Sequence, residues 1–414
     1  MRHFGAPGSG DEVSALNAFR VLELSESVSG EYCGKLLSDF GADVIKIERP
    51  ARGSPTRRLG PFGGNPDAES GERSGLFAYL NTNKSSVTLD ISTPAGSATL
   101  ARLLSCVDAV IDDHAPGWLA SVGIDPETFA DQHPQLVLCS ITAYGQDAPE
   151  ERRHAEDLNV FHSSGWGYHT PTAPDASKPP LKGAGRFLAS YEAGLEAAMC
   201  VVAALYGRED SKRGRFIDVS KQEVLASRVD YVLGQLVAGD MDATTKRTVF
   251  DLWGPATIFA CRDGYVYLWL SERGHWAAMR QLMGNPEWMD SFPERWMELE
   301  CTPERVAKCR QEFGAFLQTR DREEVSAQAQ QLGLPLVPVK NAGDLQSSPQ
   351  YIYRQFFAEV DHPVLGRAAY PTVPYKLSAT PARITAPAPL LGQHTQARLA
   401  AMLTEAEGLK EHHS

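Results

Sequence analysis

Nowhere in this 414-residue chain do apolar residues follow one another for the ~18 positions that a membrane span requires, so no membrane association is expected. The opening residues MRHFGAPGSGDE hold no apolar signal core, which argues against export and for a cytoplasmic location. Positive charge is in deficit. Lys and Arg number 40 against 52 Asp and Glu, for a net charge of −12. Such a surface disfavours nonspecific nucleic-acid or anionic-membrane binding, but it leaves room for an anionic small ligand held by a local field. Cysteine is sparse and unpaired: Cys33, Cys106, Cys139, Cys200, Cys261, Cys301 and Cys309 are odd in number and form no C-x-x-C. A disulfide framework and a zinc site are therefore not expected, and no metal ligand set is assigned. No G-x-G-x-x-G follows the first strand, where only Gly30 and Gly34 occur. Glu48 does end a second strand as a ribose-binding acid would, yet a dinucleotide site is not expected. A G-x-S-x-G elbow is also missing, so His162-Ser163-Ser164-Gly165 reads as helix-entry serines.

What is present is a chain with 43% hydrophobic residues, long enough for more than one domain. Residues 1–17 read as a flexible lead-in. Short apolar strands are expected at Val21–Leu24, Val44–Glu48, Ser86–Asp90, Asp108–Ile111, Leu136–Ile141 and Arg215–Ser220. Helical spacing lies between them: from about Gly30, near 93–105, near 117–131, from Ser190 to about Leu205 and from Lys221 to about Leu236. Strand–helix alternation implies parallel pairing, hence an α/β doubly wound sheet. The pattern then changes. Ile258–Leu270 reads as a hairpin around Asp263-Gly264, followed by helices near 273–284, 303–319 and 322–331, a smaller α+β domain. Leu334–Lys340 is read as returning to the first domain, Phe357–Pro371 as a hairpin, and a short helix follows Gly392. The expected division is 18–238 with 336–404 for the large domain, 239–335 for the small one, and 405–414 for a flexible tail.

Several segments together resemble the class III CoA-transferases, the CaiB/BaiF type. Ser29–Pro50 (SGEYCGKLLSDFGADVIKIERP) resembles their opening, and Asn81–Asp90 their Asn-x-Asn-Lys-x-Ser segment. Ala115–Ile124, Cys139–Gln146, Arg213–Glu223, His362–Gly366 and Ala388–Thr395 match in the same order, so the likeness covers about residues 19–400. The resemblance implies a Rossmann-like large domain made of both chain ends, an inserted small domain, and two chains interlocked like links. It also implies a coenzyme A thioester as substrate, with no permanently bound cofactor.

CoA needs cations for its phosphates, an apolar slot for adenine and a path for pantetheine. The turn after the first strand, with Ser27, Val28 and Ser29, ends at a helix N-terminus suited to an anion; an ordinary serine-capped turn is the alternative reading. The resemblance adds Arg49 and Lys84 as basic positions near CoA, and Asp113 and His114 from the loop after the fourth strand. That loop departs from the family's Glu-Asn-Phe-Arg-Pro-Gly, reading Asp112-Asp113-His114-Ala115-Pro116-Gly117, and Ser121 stands where the family carries an arginine. Extra negative charge there is expected to oppose a phosphate-bearing ligand.

The resemblance also implies a nucleophilic aspartate just before the small-residue helix, in a pattern like Ala-Asp-x-x-x-Gly-Leu. Here the stretch is Ala189-Ser190-Tyr191-Glu192-Ala193-Gly194-Leu195, so Ser190 holds that position. A carboxylate preserves acyl-transfer energy through anhydride and thioester intermediates, whereas a hydroxyl forms a stable ester and needs a base. Glu192 lies about 200° around the helix from position 190. The related racemases' Gly-His-Asp reads Ala155-Glu156-Asp157 here, which removes their histidine and leaves Asp157. Trp166, Tyr168 and His169 read as core packing or an aryl pocket wall.

The reading these residues support is an aspartate-lacking, noncatalytic subunit, with no catalytic residue of its own. Its partner would be a homologous aspartate-bearing subunit, interlocked with it. The donor would be an acyl-CoA such as succinyl-CoA, and the acceptor a carboxylic acid such as the aryl dicarboxylate benzylsuccinate. Two alternatives stay open: a self-sufficient homodimeric transferase that uses Glu192 or Asp157, and a noncatalytic acyl-CoA-binding scaffold.

Overall fold

The computed structural model describes residues 14–64, 70–126, 128–150, 155–169, 185–239 and 254–411. The candidate residue Tyr168 and its neighbour His169 have side chains outside this description, as do His412 and His413 altogether. Two compact units result, one containing both chain ends and the other built chiefly from residues 254–349.

The larger unit is organised by a six-stranded parallel sheet: β1 (Arg20–Glu23), β2 (Asp43–Glu48), β3 (Ser85–Thr88), β4 (Ala109–Asp112), β5 (Val137–Thr142) and β6 (Phe216–Ser220). Their spatial order, β3-β2-β1-β4-β5-β6, reverses direction between β1 and β4. This is the doubly wound order, and the crevice outside the carboxyl ends of β1 and β4 is its natural ligand position.

Alternation along the strands builds two cores. Val21, Val44, Ile111 and Val137 turn toward one face; Leu22, Ile45, Val110 and Leu138 toward the other. The first face is covered by α1 (Val28–Asp39), through Cys33, Leu36 and Leu37, and by the 24-residue helix Leu188–Ser211, through Ala193, Ala197 and Val201. That long helix is apolar enough by composition to cross a membrane, but its small residues serve close packing instead. A Cβ on Gly194 would lie 2.5 Å from the Ser29 carbonyl oxygen and 3.3 Å from the Cys33 amide nitrogen, so only glycine allows α1 this near. The second face carries the helix Pro94–Leu103, capped by Thr93, and the C-terminal helix Thr395–Glu411.

That last helix corrects an expectation. Residues 405–411 continue it, and Ala406 is buried, because Met402 and Ala406 close the second core. The lead-in also ends earlier: Leu16 is buried and its amide bonds the Phe40 carbonyl. The helical stretches expected near 117–131 and 221–236 are each broken, into Trp118–Ser121 with Phe129–Gln132 and Lys221–Ala226 with Asp230–Ala238.

The smaller unit holds a three-stranded sheet, β7 (Thr257–Cys261), β8 (Gly264–Leu268) and β9 (Leu336–Pro338), all antiparallel. Leu334–Lys340 therefore does not return to the first domain. Leu336 pairs with Leu268 and joins the core of Val266, Met279, Trp296 and Phe313. In the larger unit, β10 (Phe357–His362) and β11 (Gly366–Pro371) form the expected second hairpin.

Gly194→Ala is expected to destabilise the protein by about 1–3 kcal/mol through overpacking against α1. Urea denaturation measures it; an unchanged midpoint would show that this helix contact is looser than described.

Candidate functional site

A cavity of about 600 Å³ opens beyond the carboxyl ends of the strands. Its walls come from the turn after β1 (Glu26, Ser27, Val28), the loop after β4 (Asp113, His114), the end of β5 (Thr142) and the starts of three helices. Local sequence places each reacting group. Asn159 Oδ1 accepts from the Glu156 amide at 3.0 Å and starts the helix Asp157–Ser163, with Asp157 at its first position. Ser220 ends β6 and its hydroxyl caps the helix Lys221–Ala226, which sets Lys221 at the strand's carboxyl end. Ser190 sits on the first turn of the helix Leu188–Ser211.

These three side chains meet. Ser190 Oγ donates to Asp157 Oδ1 at 2.8 Å and accepts from Lys221 Nζ at 3.1 Å. Burial raises the Asp157 pKa, against the opposing pull of Lys221 and the Ser190 hydroxyl. Lys221 was not singled out in the sequence, although it lies inside the Arg213–Glu223 segment. A cation directly after a strand of a parallel sheet was the available signal.

Other expected residues fall differently. Glu192 is held by Arg228 at 2.9 Å and is not among the residues that line the cavity. Lys84 is fully buried and spends its donors on Glu23 (2.7 Å), the Glu31 carbonyl (2.7 Å) and Asn81 (3.0 Å), so it is a core cation with none left for a ligand. Arg49 is exposed and pairs with Glu26 at 2.5 Å. It edges a second hollow of about 250 Å³ in which apolar residues such as Leu24, Ile91 and Trp118 alternate with Glu26, Glu48 and Asp90. Trp166 donates to the Leu225 carbonyl at 2.8 Å and packs on Phe161, within the core.

The anion-binding turn is occupied from within. Asp113 Oδ1 accepts from the Glu26 amide at 2.8 Å; Oδ2 accepts from the Gly30 amide at 2.9 Å and the Ser27 hydroxyl at 2.5 Å. The Ser29 hydroxyl adds a bond at 3.2 Å. Although burial opposes it, this arrangement with the positive charge of His114 and Lys221 keeps the Asp113 pKa low. A Cβ on Gly30 would lie 2.1 Å from Ser25 Oγ and 2.9 Å from Asp113 Oδ2, so the glycine makes room for the Ser25 side chain first and for this carboxylate as well. The Asp113 carboxylate expected to repel a ligand is thus hydrogen-bonded within the chain. Asp112 binds His114 Nδ1 at 2.7 Å, while Nε2 lies 3.5 Å from Glu26. His114 also stacks on Trp118 with centroids 3.5 Å apart. Burial alone would lower its pKa, but Asp112 and Glu26 overcome that and raise it to about 9.

The switch-point turn of the parallel sheet is thus filled by the chain's own carboxylate, beside a carboxylate–hydroxyl–ammonium cluster at an open cavity. The chain belongs to CoA-transferase family III, which matches residues 16–395. It is similar to the succinyl-CoA:glutarate CoA-transferase of Mus musculus, 28% identical over 97% of this chain and 89% of that one. It is also similar to the succinyl-CoA:(R)-benzylsuccinate CoA-transferase subunit BbsE of Thauera aromatica, 26% identical over 91% and 92%. A CaiB/BaiF family protein from Brucella suis shares the fold, with a TM-score of 0.77, 25% identity, and coverage of 94% of this chain and 99% of that one.

His114 sets a pH dependence. Its folded pKa of about 9 exceeds the ordinary 6.5, so its stabilisation is complete below pH 6.5 and disappears as pH rises through 9. The loss is at most about 3 kcal/mol. Thermal melts across this range should show the decline in the native protein and a flatter profile in His114→Gln; identical profiles would refute the assignment.

Proposed function

We propose that this chain is the noncatalytic subunit of a heteromeric class III CoA-transferase, interlocked with a homologous chain that carries the nucleophilic aspartate. The observation that carries the reading is the hydroxyl of Ser190 at the position where the family resemblance calls for a carboxylate. Transfer between acids needs an intermediate that stores the energy of a thioester, and an ester of Ser190 stores too little. Glu192 is committed to Arg228 and offers no replacement.

Two further observations support a partner. Leu195, Met199, Val202 and Tyr206 recur at helical spacing on the helix Leu188–Ser211 and are exposed, Tyr206 to 80%. An apolar stripe of this kind suits a second protein surface. Among the relatives, the benzylsuccinate enzyme and the succinyl-CoA–L-malate CoA-transferase of Chloroflexus aurantiacus are named by subunit.

Three of the relatives are named for the dicarboxylates glutarate, benzylsuccinate and malate with succinyl-CoA, and another for oxalate with formyl-CoA. We assign this complex the same class: CoA passes from an acyl-CoA to a dicarboxylic acid in the cytoplasm. The partly apolar hollow beside Arg49, with Trp118 and Ile91 in its wall, suits adenine, and the larger cavity suits the acyl end.

The test uses the purified chain with succinyl-CoA and glutarate. No exchange of CoA between acids is expected from the chain alone. Ser190→Asp should yield a hydroxylamine-sensitive enzyme–CoA adduct at position 190. Exchange by the unmodified chain at ordinary enzymatic rates would defeat the proposal.

A further inference from the structure

We propose that the Asp157–Ser190–Lys221 cluster is a serine-centred thioesterase site, which passes the acyl group of an acyl-CoA to water. The substrate class rests on the family assignment; the inference is independent of the subunit role.

The argument starts from the two hydrogen bonds on Ser190. Its hydroxyl points its proton at Asp157, 2.8 Å away, and takes a hydrogen bond from Lys221 at 3.1 Å. A nucleophile thus has a proton acceptor on one side and a fixed cation on the other, at the wall of a cavity of about 600 Å³. The N-cap residue Phe187 offers no side-chain cap to the helix Leu188–Ser211, and the Ser190 amide on its first turn donates to Asp157 Oδ2 at 3.4 Å, which ties the acceptor to the helix start. The positive end of that helix adds to the field around charge developing at Oγ. Burial makes Asp157 a stronger proton acceptor than an exposed aspartate.

The bond changes balance without an added reactant other than water. Ser190 Oγ bonds to the thioester carbon while its proton passes to Asp157. The carbonyl oxygen takes up negative charge facing the Lys221 ammonium. The carbon–sulfur bond breaks, and the CoA thiolate leaves with the proton from Asp157. Water then attacks the acyl-serine ester and gives a proton to Asp157. The carbon–Oγ bond breaks and Ser190 regains its proton. One acyl-CoA and one water become one carboxylic acid and one CoA, with no change of oxidation state. The same ester stability that prevents transfer to an acid leaves water as the outlet.

The experiment follows free thiol release from succinyl-CoA by the full chain, with no acceptor acid present. Transfer is read separately as exchange between acids, so failure of one reading leaves the other standing. Hydrolysis is expected in the native chain. It should fall by ~100-fold or more in Ser190→Ala and by ~10-fold or more in Asp157→Asn and Lys221→Met. Lys221→Arg should retain more activity than Lys221→Met. Ser190→Cys should accumulate an adduct with the mass of the acyl group, not of CoA, on the peptide that contains position 190. Melting temperatures confirm that each variant is folded. Absent hydrolysis in the folded native chain, full activity in Ser190→Ala, or an adduct mapped to Asp157 would each overturn the proposal.

Discussion

The contact on which the site depends is the Asp113 carboxylate at the start of α1. It crosses the switch point of the sheet, from the end of β4 to the turn after β1, and gathers the amides of Glu26 and Gly30 with the hydroxyls of Ser27 and Ser29. Hydrogen bonds to a charged acceptor contribute roughly 1.5–3 kcal/mol each. The positive end of a helix, which in many doubly wound proteins receives a phosphate, is therefore satisfied by the chain itself. An open cavity lies beyond this clasp, toward the end of β5, the end of β6 and the helix starts that carry Asp157, Ser190 and Lys221.

Behind the clasp lies a buried set of charges that fixes α1 on the sheet. Glu23 of β1 bridges Lys46 at 2.9 Å and Lys84 at 2.7 Å, and Lys46 also reaches Glu31 of α1 at 3.0 Å. Glu31 in turn accepts from Ser54, Thr56 and Asn81. Two carboxylates and two ammonium groups balance, and each has its hydrogen bonds filled. In a low-dielectric interior such a set is stable only when complete, since a lone remaining charge costs several kcal/mol. Glu48 shows the same logic: burial would raise its pKa, yet Arg57 and its neighbours hold it at about 2. With α1 held from below by ions and from the side by the close approach of Gly194, the first turn of the long helix has a defined position. The distances around Ser190 inherit that precision.

The functional picture follows from one atom. With an oxygen of a carboxylate at position 190, an acyl group can be held at the energy of a thioester. With a hydroxyl it cannot, and the surrounding Asp157 and Lys221 then orient a serine rather than a nucleophilic acid. The proposed homologous partner and the proposed hydrolytic outlet are separate readings of this replacement, one for the assembly and one for the chain's own cavity.

Much of this was legible in the sequence because its causes are local. Strand and helix periods and the Asp263-Gly264 turn depend on neighbours within a few residues. The family segments located position 190 and its missing carboxylate. The sequence left open what each charged residue touches. Lys84 and Lys221 both follow or precede strands, yet one is sealed against Glu23 and the other faces a cavity. Asp113 read as added repulsion and turned out to be the internal occupant of the anion site. That the strand Leu336–Pro338 joins the small sheet was not legible, because its partner, β8, is remote in the chain. Short-range patterning determines which elements form and on which face they are apolar. Only the tertiary structure decides which charges meet, because a burial and a partner tens to hundreds of residues away set whether an ionisable group is a ligand site or a structural tie.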